Sequence, residues 1–392
     1  MSEAVILSAC RTPIGKFRGS LSSVTATELG ACVVREAVAR AGITPQEIDE
    51  VILGMVLPAG VGQAPARQAA LKAGLPATVG ALTINKVCGS GLKAVMLAAQ
   101  AIRCGDANVF VAGGMENMSQ SPWLLRRDGP TLGDRSLLDS MLHDGLECAF
   151  SNQSMGVVAD NLARRAGVSR EAQDQYAVES HRRAVAAVNA GCFQKEIVAI
   201  SVANRGQSTT VTTDEGPRAD CDLTRLSSLR PAFASDGSVT AGNASTISDG
   251  AAAVMVASEG TAERLGRSPL ARIVASATAG GEPADLFTAP VAAIRQVLDR
   301  AGRSINDVDL FEINEAFAVQ MLACVQQLDL PLDRVNVHGG AIALGHPIGA
   351  SGARVLTTLL FALEQRQLRT GIAALCLGGG NAVAMLIERC EA

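Results

Sequence analysis

Two thiols, two imidazoles and one side-chain amide stand where the chain gives them unusual freedom. Cys88 precedes Gly89-Ser90-Gly91 and a long run of helix formers in "VCGSGLKAVMLAAQAI". Cys376 lies near the end of the apolar run "AALCL", with Leu377 between it and Gly378, Gly379 and Gly380. His338 and His346 lie in "VNVHGGAIALGHPIGASGAR", and Asn314 with Glu315 follows a strand-like run in "EINEAFA". A helix start offers unpaired N–H groups and partial positive charge, which favour a thiolate at Cys88, and a nearby histidine would add to this. The glycines would leave room above the sulfur for a bulky partner. The alternative is a small core residue, since free cysteines are among the most buried types. Pro347 fixes the backbone of His346 and the surrounding glycines deny it a packing shell, which leaves a reactive histidine or an exposed loop residue. His338, before Gly339-Gly340, reads equally as a turn residue. The glycines after Cys376 free backbone N–H groups that could form an oxyanion hole. Asn314 is either a turn residue or a polar anchor for a water or a carbonyl.

Other chemistries find no support. No carboxylate or thiol lies at ligand spacing from the histidines, so no metal site is expected. There is no G-x-x-x-x-G-K-[ST] loop and no G-x-G-x-x-G leading from a strand into a helix, so nucleotide hydrolysis and dinucleotide redox chemistry have no support. A net charge of −4 and a pI near 5.7 exclude a general nucleic-acid binder but leave room for a small anionic ligand. No apolar run reaches the roughly 18 residues of a membrane span. The 10 cysteines are scattered without C-x-x-C pairing, and "AVILSAC" reads as a first strand rather than a signal peptide. The expectation is a cytoplasmic protein with reduced thiols. The terminal "CEA" carries no peroxisomal address.

These residues need a scaffold, and the chain spells one out twice. "AVILSAC", "EVILGMV" and "ANVFVAGG" read as strands, while "ELGACVVREAVARAG" and "GLKAVMLAAQAIRCG" read as helices ending in glycine. That alternation predicts an α/β fold with mixed sheets covered by helices. "VVREAVARAGITPQEIDEVIL" resembles "AIRQVLDRAGRSINDVDLFEI": Arg40-Ala41-Gly42 matches Arg300-Ala301-Gly302 and Asp49 matches Asp309, 260 residues further on in both cases. "CGSGLKAVMLAAQAI" echoes "GASGARVLTTLLFAL", 261 residues on. Two ordered matches at nearly one offset indicate duplicated α/β domains. The expected division is residues 1–117 plus 249–268 for the first half, 118–248 for an inserted loop domain, and 269–392 for the second half. The insert carries a helix with Ser169 as N-cap and Gly191 as its stop, and insertions of this kind often cover an active site.

"VCGSGLKAV", "GGMENMS", "TAGNAS", "NEAFA", "GGAIALGHPIGASGAR" and "CLGGG" occur in an order and spacing that resembles the thiolases, most like their acetyl-CoA acetyltransferases. The resemblance runs from "RTPIGKFRG" to "AMLIER", nearly the whole chain. It implies a layered α/β/α/β/α fold and reversible Claisen condensation of two acetyl-CoA to acetoacetyl-CoA and CoA, with no cofactor because CoA is itself substrate and product. It implies Cys88 as the acyl-carrying nucleophile, and His346 as the group that activates it and helps bind a thioester oxygen. Cys376 becomes the acid–base thiol at the substrate α-carbon, Asn314 the holder of a water, and the N–H groups of Cys88 and Gly378 an oxyanion hole. For CoA it points to Leu146, Met155, Arg218, Phe233, Ala241, Ser245, Ile247, Ala316 and Phe317, with Arg218 suited to phosphate or adenine. It also implies a homodimer or homotetramer. The chain departs from the short-chain pattern at Ser154, at "LFTAP" (286–290), where Leu286 and Phe287 fall near the acyl end, and at His338, where Asn is usual. The competing readings are a longer-chain 3-ketoacyl-CoA thiolase, a ketoacyl synthase acting on carrier-protein thioesters, which Cys376 opposes, and a non-catalytic acyl-CoA- or lipid-binding protein.

Overall fold

A computed structural model describes residues 2–129, 132–204 and 207–390. Of the terminal "CEA", only Cys390 falls within that range. The frame is a 10-stranded sheet whose main path has strong internal symmetry. In chain order its strands are β1 (Ala4–Arg11), β2 (Glu50–Gly54), β3 (Gly80–Ile84), β4 (Val109–Asn117), β5 (Ser248–Ser258), β6 (Ala271–Gly280), β7 (Leu310–Ile313), β8 (Thr370–Leu377) and β9 (Asn381–Arg389). They run in the order β7-β8-β9-β6-β1-β5-β4-β2-β3, with Gly15–Lys16 pairing β5 off that path. The first half reads β1-β5-β4-β2 and the second β6-β9-β8-β7. Each has two antiparallel pairings followed by one parallel pairing. Even the outermost β3 has a trace of a counterpart, a parallel bridge from Phe311 to Val335. The halves join where β1 meets β6 through Val5–Arg272 and Ile6–Ala271.

The helices follow the same repeat. We label them α1 (Ala26–Ala41), α2 (Ser90–Cys104), α3 (Met155–Ala166), α4 (Arg170–Asn189), α5 (Ala289–Ala301), α6 (Ala318–Leu328) and α7 (Ser351–Gln365). Helices α2 and α7 begin and end 261 residues apart and lie between the two half-sheets. Leu92, Val95 and Met96 of one share a core with Val355, Leu356 and Leu359 of the other and with Val254, Leu375 and Met385 of the strands. Helix α1 covers the outer face of the first half and α5 with α6 that of the second. The five layers therefore alternate helix, sheet, helix, sheet, helix. The sequence permits the central pair to touch because Gly91 and Gly352 carry no side chain. A Cβ on Gly91 would sit 2.7 Å from the Ala353 nitrogen, and one on Gly352 would strike the Leu92 backbone. These glycines bring helices together, and Gly89 packs on Leu377. They do not clear space above the sulfur, so that expectation is corrected.

The segment between β4 and β5 contains α3 and α4 and the hairpin Ile200–Asn204/Gln207–Val211. Ser169 caps α4 by accepting from the Ala172 N–H; the helix ends at Asn189 with Ala190 as C-cap, one residue before the predicted stop at Gly191. The segment is tied to the sheet by buried charge: Arg11, at the end of β1, meets Glu196 at 2.5 Å and Asp214 at 2.6 Å. No helix among the described residues is long and apolar enough to cross a membrane.

Candidate active site

The two halves and the insert together enclose a cavity of about 1130 Å³. The first half supplies Val56, Val87 and Cys88. The insert supplies Leu142 to Phe150, Met155, Arg218 and Phe233, and the second half supplies Leu286, Phe287, Phe317, His346, Ile348, Cys376 and Gly378. Leu146, Met155, Arg218, Phe233, Ala241, Ser245, Ile247, Ala316 and Phe317, expected at CoA, all line this space, and so do Cys88, His346, Cys376 and Gly378. Asn314 is not on the wall. It lies behind His346, fully buried, with its amide nitrogen 3.5 Å from Nε2.

Cys88 occupies the turn just before α2, whose N-cap is Gly89. The preceding Val87 has φ of 47°, a left-handed backbone that a β-branched residue rarely adopts. Apolar Val56, Leu57, Met118 and Ile348 surround the sulfur. Burial pushes the thiol up to about 12, while its own N–H and that of Gly378 partly offset this. The helix start therefore does not give a preformed thiolate. Desolvation by walls contributed from distant parts of the chain outweighs it.

His346 is buried, contrary to the expectation of a histidine without packing. Its Nδ1 lies 2.6 Å from Ser351 Oγ, and that hydroxyl donates onward to the Pro347 carbonyl at 2.8 Å. With its proton committed there, Ser351 accepts, so Nδ1 carries hydrogen and Nε2 keeps a lone pair. Asn314 agrees with this arrangement. Arg354 donates to Asn314 Oδ1 at 3.4 Å and to Glu312 at 3.0 Å, which turns the Asn314 NH₂ toward Nε2. Burial, followed by the charge of Arg354, holds His346 down to about 3. The imidazole is neutral, and Nε2 is its unprotonated atom.

Cys376 is the penultimate residue of β8 and packs with Leu286, Phe287, Phe317 and Met155. Burial lifts its thiol well above the ordinary range, and the neighbouring Cys88 adds to this. Gly379 and Gly380 take φ of 80° and 83° in the turn to β9, and Gly378 is thereby aimed at Cys88. At another part of the wall Arg218 joins Lys16; both charges bear on His181, which burial and these cations hold down to about 4. His338 is a packing residue, edge-on to Phe193 at 5.9 Å. Four contributors were missed in the sequence. Ser351 and Arg354 lie within the quoted "GHPIGASGAR", and Lys16 within "RTPIGKFRG", without a signal of their own. Cys148 is a third thiol on the wall, lowered overall because hydrogen bonds from Ser151 and Phe150 outweigh burial; nothing in the sequence marks it. No group of three or more His, Cys, Asp or Glu among the described residues could hold a metal ion.

Comparison with known proteins places this geometry in a family context. The family model described as "Thiolase, N-terminal domain" matches residues 4–260, and "Thiolase, C-terminal domain" matches residues 267–389. A probable acetyl-CoA acetyltransferase of Escherichia coli (strain K12) is 53% identical over 393 residues, covering 100% of both chains. An acetyl-CoA acetyltransferase of Allochromatium vinosum is 54% identical, covering 98% of each. The crystal structure of the Bacillus anthracis acetyl-CoA acetyltransferase superposes with a TM-score of 0.98 at 45% identity, over 100% of this chain and 99% of that one.

Proposed function

We propose that the chain, which belongs to the thiolase family, is an acyltransferase that condenses two acetyl-CoA to acetoacetyl-CoA and CoA and catalyses the reverse thiolysis. The observation that carries this reading is the meeting of two thiols, a neutral imidazole and a free backbone N–H in one cavity that also holds Arg218 and Lys16. Cys88 is the acyl carrier. As a thioester carbonyl reaches it, the Sγ proton passes to His346 Nε2, and the sulfur forms a new thioester as CoA leaves. The N–H groups of Cys88 and Gly378, both directed at the sulfur, receive the oxyanion. Cys376 moves the proton at the α-carbon of the second thioester, and Asn314 holds a water beside His346. The names of the relatives support acetyl-CoA as the thioester. Leu286, Phe287 and Phe317 form an apolar wall beside Cys376, where the acyl end would lie. Homodimeric or homotetrameric assembly and a cytoplasmic setting belong to the same proposal, the latter supported by cysteines that are all free.

The direct test is thiolysis of 3-ketoacyl-CoA substrates from four carbons upward. The four-carbon substrate is expected to have the highest kcat/KM; a faster six- or eight-carbon substrate would refute the acetyl preference, and no thiolysis at any length would refute the reaction. Arg218 and Lys16 form the cationic end suited to CoA phosphates. Replacing Arg218 by Ala is expected to raise KM for CoA about tenfold, the loss of roughly one charged hydrogen bond, with kcat nearly unchanged. The difference should shrink as salt is added; an unchanged KM at low salt would remove Arg218 from the site.

A further inference from the structure

Glu116 lies in the quoted "GGMENMS" and has no place in the chemistry above. It is fully buried near the end of β4. Its carboxylate accepts from Val56 N–H at 2.9 Å, from Leu57 N–H at 3.2 Å and from Gly349 N–H at 2.9 Å. It forms no ion pair among those described. Val56 and Leu57 belong to the apolar wall around Cys88; Gly349 belongs to the loop that carries His346. The approach is close enough to require glycine: a Cβ on Gly349 would stand 2.6 Å from Glu116 Oε2. One carboxylate thus joins the wall beside the thiol to the loop beside the imidazole. Burial raises Glu116 to about 7.

We infer that Glu116 is a positioning residue: its carboxylate fixes the His346 loop against the Cys88 wall. This rests on the reading of Cys88 as acyl carrier. The groups around the pair are Asp249 on β5, whose charge bears on Glu116, His346 on the tethered loop, which is neutral, and Cys376, also a neutral thiol. None of these supplies a compensating cation. Replacing the carboxylate by an amide would present NH₂ to one of the three N–H donors and loosen the loop.

The test compares wild type, E116Q and E116D, after wild-type thiolysis has established the reaction independently. Thiolysis kcat and KM are measured for each protein, with the thermal unfolding midpoint as a check on the fold. In E116Q kcat is expected to fall at least tenfold with KM within about twofold. E116D keeps the carboxylate but shortens its reach, so kcat should fall at least fivefold with KM again within about twofold. A kcat within twofold of wild type in E116Q, or a fall carried by KM instead, overturns the inference. Should E116Q fail to fold, E116D decides: an unchanged kcat overturns it.

Discussion

Cys88→Ala is expected to abolish acetoacetyl-CoA thiolysis, with kcat reduced by about 10⁴-fold or more, as when the nucleophile of a covalent mechanism is removed. The loss is large because the reaction is divided at that sulfur. Without it, CoA would have to cleave an unactivated carbon–carbon bond in a single step. The fold should survive, since the change deletes one atom from the partly apolar contact with Val56 and Ile348. Cys88→Ser is the sharper control. It keeps the atom count, but an alcohol ionises less readily than a thiol and leaves less easily from an acyl group, so near-complete loss is expected there too. Cys88 is held up to about 12 and His346 down to about 3, so neither is charged. Activation must come from the substrate, whose carbonyl brings developing charge to the N–H groups of Cys88 and Gly378. An Ala variant that keeps thiolysis within tenfold of wild type would end the acyl-enzyme reading.

The fold was largely legible because its signals are periodic. The helix bounds Ser90–Cys104 and Ser351–Gln365 reproduce the 261-residue offset seen between "CGSG" and "GASG". Apolar runs such as "AVILSAC" became strands buried along their length. Ser169 was recognisable because an N-cap needs only its own side chain and the next turn. The charge states of the site were not legible. Proximity to a helix start can be read from sequence. The walls that desolvate Cys88 come from residues 56, 57, 118 and 348, and no local pattern shows that they converge. The same limit explains why the glycines of "CGSG" were first read as clearing space. Their true neighbours, Ala353 and Leu377, are more than 250 residues away in the chain. Glu116 and Arg354 went unassigned for a related reason. A buried carboxylate or guanidinium has meaning only through the donors and acceptors that meet it.

Cys376→Ala is expected to separate the two halves of the reaction. The variant should still take an acetyl group from acetyl-CoA onto Cys88, at a rate within a fewfold of wild type, because the Gly378 N–H belongs to the backbone turn and His346 to another loop. Exchange of the acetyl-CoA α-hydrogens with solvent deuterium should fall by about 10²–10⁴-fold, the usual contribution of a positioned acid–base group, and thiolysis should fall with it. The geometry explains the direction of proton flow. Cys376 sits among Leu286, Phe287 and Phe317, where burial and the neighbouring Cys88 keep its thiol neutral. A protonated thiol beside the α-carbon is what cleavage requires. When the carbon–carbon bond breaks, the electron pair passes to the thioester enolate and the Cys376 proton quenches it; the thiolate left on Cys376 then takes the proton of the incoming CoA thiol as CoA attacks the acyl group on Cys88. In condensation the same group has to lose its proton first, against the desolvation that holds it on. The enolate stabilised by nearby N–H donors shares that cost, and condensation is expected to be the slower direction in the wild type. Normal α-hydrogen exchange in Cys376→Ala would remove this residue from its role even if thiolysis were impaired. A variant that fails to acetylate Cys88 would show instead that the second thiol supports the first.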